Sequence, residues 1–339
     1  MKFLLTGHNG FKGSWLTLML KFLGHEVYGT SIAPEKNSLY ELARVNTLIN
    51  GESTCDILDY RSFQKYFVSV KPDIAIHFAA QSMVLKSYAD PVSTFNTNVF
   101  GTLNFLRALT EYGETKANLI ITSDKVYKNK NNSNSKPYTE LDELGGIDPY
   151  SASKSMADIL SQSWISTRQI TPTSIVRAGN VIGGGDWASN RLIPDTIRAI
   201  VANENLIVRY PTAVRPWQHV LDCLNGYILL IEKMLIGEKE ILWNFGPNAE
   251  SFVMVEEVIN KFLIAYGSNC KIVIDKNYQA SESMMLKIDS TKSRSRLGWK
   301  DKLDLNSSIS KTAQWYKDFY GNKNPLDLTL KQIELFLNQ

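Results

Sequence analysis

The sequence predicts an α/β protein in which a doubly wound parallel sheet carries a smaller α/β lobe. Three observations predict it. Short apolar runs alternate with helical patterns through the first half of the chain, and glycines follow the first run at once. Beyond Asn180 the alternation weakens into clusters such as Gly183-Gly184-Gly185 and Arg215-Pro216-Trp217, as expected of a smaller, loop-rich lobe.

The elements follow in order. Lys2–Thr6 reads as a strand, Gly13–Leu23 as a helix and Glu26–Thr30 as a second strand. A third strand is expected near Ser53–Ile57 and a helix from Tyr60 to Val70. Lys71-Pro72 marks a turn into Asp73–Ala79, a fully apolar strand. After Pro91, the residues Phe95, Val99, Leu103, Leu106 and Leu109 recur at helical spacing and predict one long helix. Ala117–Thr122 is the next strand, Ser151–Arg168 the next helix and Thr173–Arg177 the strand after it. Lys128–Lys136, the low-complexity stretch KNKNNSNSK, reads as a solvated loop.

A chain of 339 residues exceeds the usual size of a single core. The expected division is 1–178, rejoined by about 213–243, against 179–212 with 244–339. With 44% hydrophobic and 21% charged residues the composition is globular, and a net charge of +3 is too mild to imply nucleic acid as a partner. Three scattered cysteines and four histidines suit neither a disulfide framework nor a zinc site, so no metal and a cytoplasmic location are expected. No apolar stretch is long enough to span a membrane.

Residues 6–13 read TGHNGFKG, directly after a strand and opening a helix. Glycines let such a turn tighten and let backbone approach a diphosphate, whose charge then meets the helix N-terminus. The spacing TGxxGxxG, carried by Thr6, Gly7, Gly10 and Gly13, resembles the extended short-chain dehydrogenase/reductase family, whose fold is Rossmann-type. The resemblance implies that Gly7, His8, Asn9, Gly10, Phe11, Lys12 and Gly13 hold a dinucleotide. It also implies adenine contacts from Asp56 and Ile57, with Phe78, Ala79, Ala80, Gln81 and Asn98 passing beneath the cofactor. The second strand ends Tyr28-Gly29-Thr30-Ser31, without the acid that ordinarily takes the ribose hydroxyls. On chemistry alone NAD and NADP stay open, with Lys12 available to a 2′-phosphate; the resemblance implies NAD, retained through the reaction cycle.

Tyr150 and Lys154 stand four apart, on one face of a helix start. A phenol of pKa near ~10 is a poor base at neutral pH, and a nearby ammonium favours its phenolate. Ser123, ending a preceding strand, matches the family's third member, which orients the substrate oxygen for hydride transfer. The next two residues are Asp124 and Lys125. In the nucleotide-sugar dehydratases of this family the corresponding pair acts as acid and base, which would make Asp124 the acid and Lys125 the base.

An Asp-Lys pair is characteristic of the CDP-glucose 4,6-dehydratases, and the resemblance to them runs nearly the full chain. GFKGSWL (10–16), TSDKVY (122–127), DPYSASK (148–154), RAGNVIGGGDWASNRLIPD (177–195), RPWQHVLD (215–222), WNFGPN (243–248) and SRLGW (295–299) carry it. It implies dehydration of CDP-glucose to the 4-keto-6-deoxy sugar. Asn180, Arg191, Arg209, Arg215 and His219 would serve the substrate diphosphate and its surroundings, and Ser82 and Ser87 would face the hexose. It also implies a homodimer, or a higher homo-oligomer, formed by the helices after the fourth and fifth strands. Ser82-Met83 and Met284-Met285 depart from the residues usual there and leave the base and sugar open. The alternatives are a dehydratase or 4-epimerase acting on another nucleotide sugar, and a non-catalytic cofactor sensor on the same fold.

Overall fold

The computed structural model describes residues 1–129, 136–275 and 283–339. Six strands, β1 (Lys2–Thr6), β2 (Glu26–Ser31), β3 (Gly51–Thr54), β4 (Ile74–His77), β5 (Ala117–Ile121) and β6 (Thr173–Ala178), join the strand Leu242–Phe245 in one parallel sheet. From one edge the order is Leu242–Phe245, β6, β5, β4, β1, β2, β3. The chain therefore winds outward from β1 to β3, then restarts beside β1 with β4 and winds the other way. The crevice above β1 and β4 is the switch point where such sheets bind ligands.

Every residue of β4, β5 and β6 is buried, which explains the apolar runs Ile74–Ile76, Leu119–Ile121 and Ile175-Val176 within them. One face packs Trp15, Leu16 and Met19 of helix α1 (Phe11–Phe22) with Leu224 and Tyr227 of the helix Val220–Leu235. The other packs Phe63, Phe67 and Phe105 from the helices Tyr60–Val70 and Gly101–Tyr112. The lobe beyond β6 is built from small pieces: the helix Leu192–Ala202, and paired strands Leu206–Val208 with Ile272–Ile274 and Val214–Pro216 with Phe252–Met254. The last helix, Pro325–Leu337, returns to pack on α1.

Two expectations need correction. The third strand is Gly51–Thr54, not Ser53–Ile57: the Asp56 carboxylate accepts the Leu58 N–H at 2.9 Å, turning the chain before Ile57 can extend the edge strand. The long helix after Pro91 is interrupted by a π-helical turn, Asn96–Phe100, between Pro91–Phe95 and Gly101–Tyr112. A further short helix, Val84–Ala89, precedes it. Of the Lys128–Lys136 stretch, 130–135 lie outside the described residues.

One buried charge in the sheet holds the site's scaffold. Arg177 of β6 forks onto Asp158, with both N–H···O distances at 2.7–2.8 Å, and also bonds Tyr127 Oη and the Glu140 carbonyl. Asp158 in turn accepts from Thr122 Oγ1 at 3.0 Å, so the helix Pro149–Thr167 is tied to the end of β5. Both charges are almost wholly buried. Arg177→Met strands the Asp158 carboxylate and is expected to cost about 3–5 kcal/mol. Urea unfolding measures it, and a wild-type midpoint would contradict the assignment.

Candidate active site

The turn after β1 fits a dinucleotide diphosphate. Gly7 has φ +68°, and a Cβ there would lie 2.7 Å from the Ala79 backbone nitrogen. A Cβ on Gly13 would lie 2.3 Å from the Gly7 carbonyl. At Gly10, by contrast, a Cβ meets only the Gly7 carbonyl, at 3.4 Å, so the space above it is open to a ligand. Gly10 caps α1 without a side-chain bond, leaving the first-turn N–H groups to face an anion. Asn9 is held by Ile32 and Ser31, its amide donating to one carbonyl and accepting from the other's hydroxyl. His8 turns away from the switch point, toward Glu52 and Tyr40.

The floor of the crevice is the segment after β4, where Phe78 and Ala80 line the cavity described next. Asn98, from the π-helical turn, accepts the Gln81 N–H at 2.8 Å and donates to the Gln81 carbonyl at 3.0 Å and to Ser153 Oγ at 2.8 Å. The π turn thereby fixes this floor against the helix Pro149–Thr167. Ile57 is buried under Gly101, while Asp56 is exposed in the loop beyond β3.

A cavity of about 340 Å³ opens beside the glycine turn and brings Ser123, Asp124, Lys125, Tyr150 and Lys154 together. Local structure explains their convergence. Ser123 ends the β5 segment and caps the turn Asp124–Val126, its Oγ accepting the Lys125 N–H at 3.2 Å. Three consecutive side chains are thus presented to one cavity. Tyr150 follows Pro149 in the first turn of the helix Pro149–Thr167, and Lys154 lies one turn later.

Burial dominates the electrostatics. It pushes the Tyr150 phenol up to about 12, opposed first by hydrogen bonding with Ser123. The Lys154 ammonium donates to the Ile121 carbonyl at 3.0 Å, and burial, with Lys12 nearby, pushes it down to about 7. Asp124 is pushed up to about 6 by burial, against the pull of Lys125, Ser123 and Arg215. Its Oδ1 accepts from Ser123 Oγ at 3.1 Å, and its buried Oδ2 bonds none of the described residues. A carboxyl raised this far above the usual carboxylate range, with an oxygen unbonded among the described residues, is suited to carry a proton to a substrate.

The far end of the cavity is cationic. Arg191 donates to Asp186 at 3.1 Å and to Ser82 Oγ at 3.0 Å, bridging from the smaller lobe to the loop after β4. Arg209, buried Arg215 and Asn180 also line it. Three arginine forks and an amide around one concavity suit a diphosphate.

The structure moves three expected residues. Ser87 is buried outside the cavity, where its hydroxyl accepts the Tyr150 N–H at 3.1 Å and donates to the Val84 carbonyl. It seats the start of the helix Pro149–Thr167 and does not line the cavity. His219 is fully buried as the cap of the helix Val220–Leu235, its Nδ1 accepting the Leu221 N–H, and burial pushes it down to about 3. It is a packing residue. Lys12 turns into the cavity beside Ser123 and donates to Tyr227 Oη at 3.2 Å, away from the ribose end of a dinucleotide. Of the two departures, Ser82-Met83 lines the cavity, whereas Met284-Met285 pairs through backbone with Val214. Sequence reasoning missed Asp186, Asp158 and Glu52, because a single carboxylate carries no signal until its partner is adjacent.

Residues 4–312 match the family model described as GDP-mannose 4,6 dehydratase. The chain is 36% identical to the CDP-glucose 4,6-dehydratase of Salmonella typhimurium, over 98% of this chain and 95% of that one. Its fold is that of DesIV, a dTDP-glucose 4,6-dehydratase from Streptomyces venezuelae solved with NAD bound, at TM-score 0.82 and 24% identity over 96% and 100% of the two chains. It is equally that of a UDP-glucose 4-epimerase from Thermotoga maritima, at TM-score 0.83 and 20% identity over 94% and 100%. The match over most of the length, together with a cavity gathering Ser123, Asp124, Lys125, Tyr150 and Lys154, makes this chain a member of the GDP-mannose 4,6 dehydratase family.

Proposed function

We propose that the chain catalyses NAD-dependent 4,6-dehydration of a nucleotide sugar, with CDP-glucose as substrate and CDP-4-keto-6-deoxyglucose as product. The observation that carries this reading is the juxtaposition of Asp124 and Lys125 with Ser123, Tyr150 and Lys154 in one cavity. Oxidation alone needs only the last three. The extra acid and base have work only if C5 loses a proton and C6 loses its hydroxyl. CDP-glucose is favoured by the 36% identity to an enzyme of that name, extending over nearly the whole of both chains.

In this reading Gly7, Gly10 and Gly13 cradle the cofactor diphosphate. NAD, when bound, supplies a hydride acceptor for C4 and later the hydride donor for C6. Tyr150 takes the proton of the C4 hydroxyl, and the Lys154 ammonium lowers the cost of its phenolate. Ser123 holds the C4 oxygen in line. The resulting ketone acidifies C5. Lys125 removes the C5 proton, and Asp124 gives its proton to the departing C6 hydroxyl; as hydride reaches C6, Lys125 returns its proton to C5. Arg191, Arg209, Arg215 and Asn180 hold the diphosphate, with Ser82 at the hexose. Residues 1–178 with 213–243 form the cofactor side and 179–212 with 244–339 the substrate side, closed by the last helix on α1.

A cytoplasmic homodimer completes the reading. Val92, Phe100, Met156 and Ile159 expose apolar surface on the helical segments after β4 and β5, where a second copy would cover it. Three free cysteines suit a reducing compartment. Among the described residues no helix is long and apolar enough to cross a membrane.

Incubation with CDP-glucose and NAD is expected to yield a product with the alkaline absorbance of a 4-keto-6-deoxy sugar. UDP-, GDP- and dTDP-glucose are expected to react much more slowly. Formation of a 4-epimer without keto sugar would overturn the dehydratase reading, and faster turnover of another nucleotide would overturn the CDP assignment alone.

A further inference from the structure

β2 ends Gly29-Thr30-Ser31 and so lacks a carboxylate where a Rossmann-type sheet ordinarily meets the adenosine ribose. The neighbouring strand supplies one. Glu52 of β3 stands in register with Gly29. Its Oε2 accepts from His8 Nε2 at 3.0 Å and from the Tyr40 hydroxyl at 2.5 Å. Both bonds fall on the same oxygen, which leaves Oε1 to accept from a ligand.

The arrangement is built rather than incidental. The His8 ring fills the space over Gly29, where a Cβ would lie 2.3 Å from it. Burial favours the neutral imidazole, and a neutral ring bonded to the carboxylate through Nε2 carries its proton there. Glu52 and Tyr40, with Asn9, Ser31 and Thr54, line a cavity of about 330 Å³ beside the glycine turn. Among its described lining residues are two glutamates and no lysine or arginine. Lys12, the nearest cation in sequence to the turn, points the other way.

We infer that Glu52 is the ribose-binding and selectivity residue of the dinucleotide site, its Oε1 accepting the adenosine 2′-hydroxyl and its charge excluding a 2′-phosphate. The inference rests on the nicotinamide-dinucleotide reading given above. A carboxylate one strand over does the work that the missing β2 acid would do, and His8 and Tyr40 fix its orientation.

Equilibrium titration with NAD⁺ and NADP⁺, followed by calorimetry, tests it without turnover. The wild-type protein is expected to bind NAD⁺ at least about 30-fold more tightly than NADP⁺, since facing like charges are strongly disfavoured. Glu52→Gln keeps an acceptor for Tyr40 but removes the charge, and should lower that ratio at least about fivefold. Because both ligands are measured on the same preparation, partial unfolding cancels from the ratio. An unchanged ratio in Glu52→Gln, or equal binding by the wild type, overturns the role of Glu52 while leaving the dinucleotide reading intact. Failure of the wild type to bind either ligand overturns both.

Discussion

Asp124→Asn is expected to lower product formation about 10²–10⁴-fold while the nicotinamide accumulates in its reduced form. The variant keeps Ser123, Tyr150 and Lys154, so C4 oxidation proceeds, but the amide has no acidic proton for the C6 hydroxyl and the cycle stalls halfway. Near-ultraviolet absorbance in a single turnover reads the stall directly. Full-speed product formation, or loss of the oxidation step as well, would contradict the assignment of Asp124. Lys125→Ala is expected to stall at the same point.

The same substitution has a stability signature, whose sign follows from burial. Asp124 is raised from 3.8 to about 6 in the folded state, so the fold holds its proton more tightly than the unfolded chain does. Below the unfolded value both states are protonated and there is no penalty. As pH rises through the folded value, the buried carboxylate must ionise and stability falls. Asp124→Asn removes that cost and is expected to stabilise the protein by roughly 2–3 kcal/mol near pH 8, with the difference vanishing near pH 3. Denaturant melts at the two pH values measure it. A dead enzyme that is more stable than the wild type at alkaline pH separates a catalytic carboxyl from one that merely supports the fold.

Tyr150→Phe is expected to reduce turnover about 10³-fold or more and to leave no reduced nicotinamide behind, because the loss precedes oxidation. Burial holds the phenol up to about 12, so little phenolate exists until a positive partner approaches. Lys154, pushed down to about 7 and already donating to the Ile121 carbonyl, is that partner only when charged. The two variants therefore fail at different points: one before and one after the first hydride leaves C4. Substantial activity in Tyr150→Phe would remove the phenol from the mechanism.

The parallel sheet was legible because β4, β5 and β6 are buried on both faces and each carries a short apolar run. The edge strand β3 was misplaced because its exposed residues carry no such pattern, and the turn that ends it depends on one carboxylate, Asp56. The segment Ser123-Asp124-Lys125 could be read directly, since neighbours in sequence remain neighbours at the end of a strand. Ser87 and His219 were misread for one reason: a serine or histidine facing a ligand and one bonding a helix N-terminus look alike in sequence. The Arg177–Asp158 fork and the His8–Tyr40–Glu52 cluster were invisible, because each joins residues that only the fold brings together.

In the proposed function Tyr150 begins an internal redox cycle, which Asp124 and Lys125 convert into an elimination. CDP-glucose carrying deuterium at C4, turned over in ordinary water and examined by NMR and mass spectrometry, tests it most directly. The expected product is a 4-keto-6-deoxy sugar with the deuterium in its C6 methyl group. Deuterium lost to solvent, or retained at C4 of an epimerised sugar, would contradict the claim.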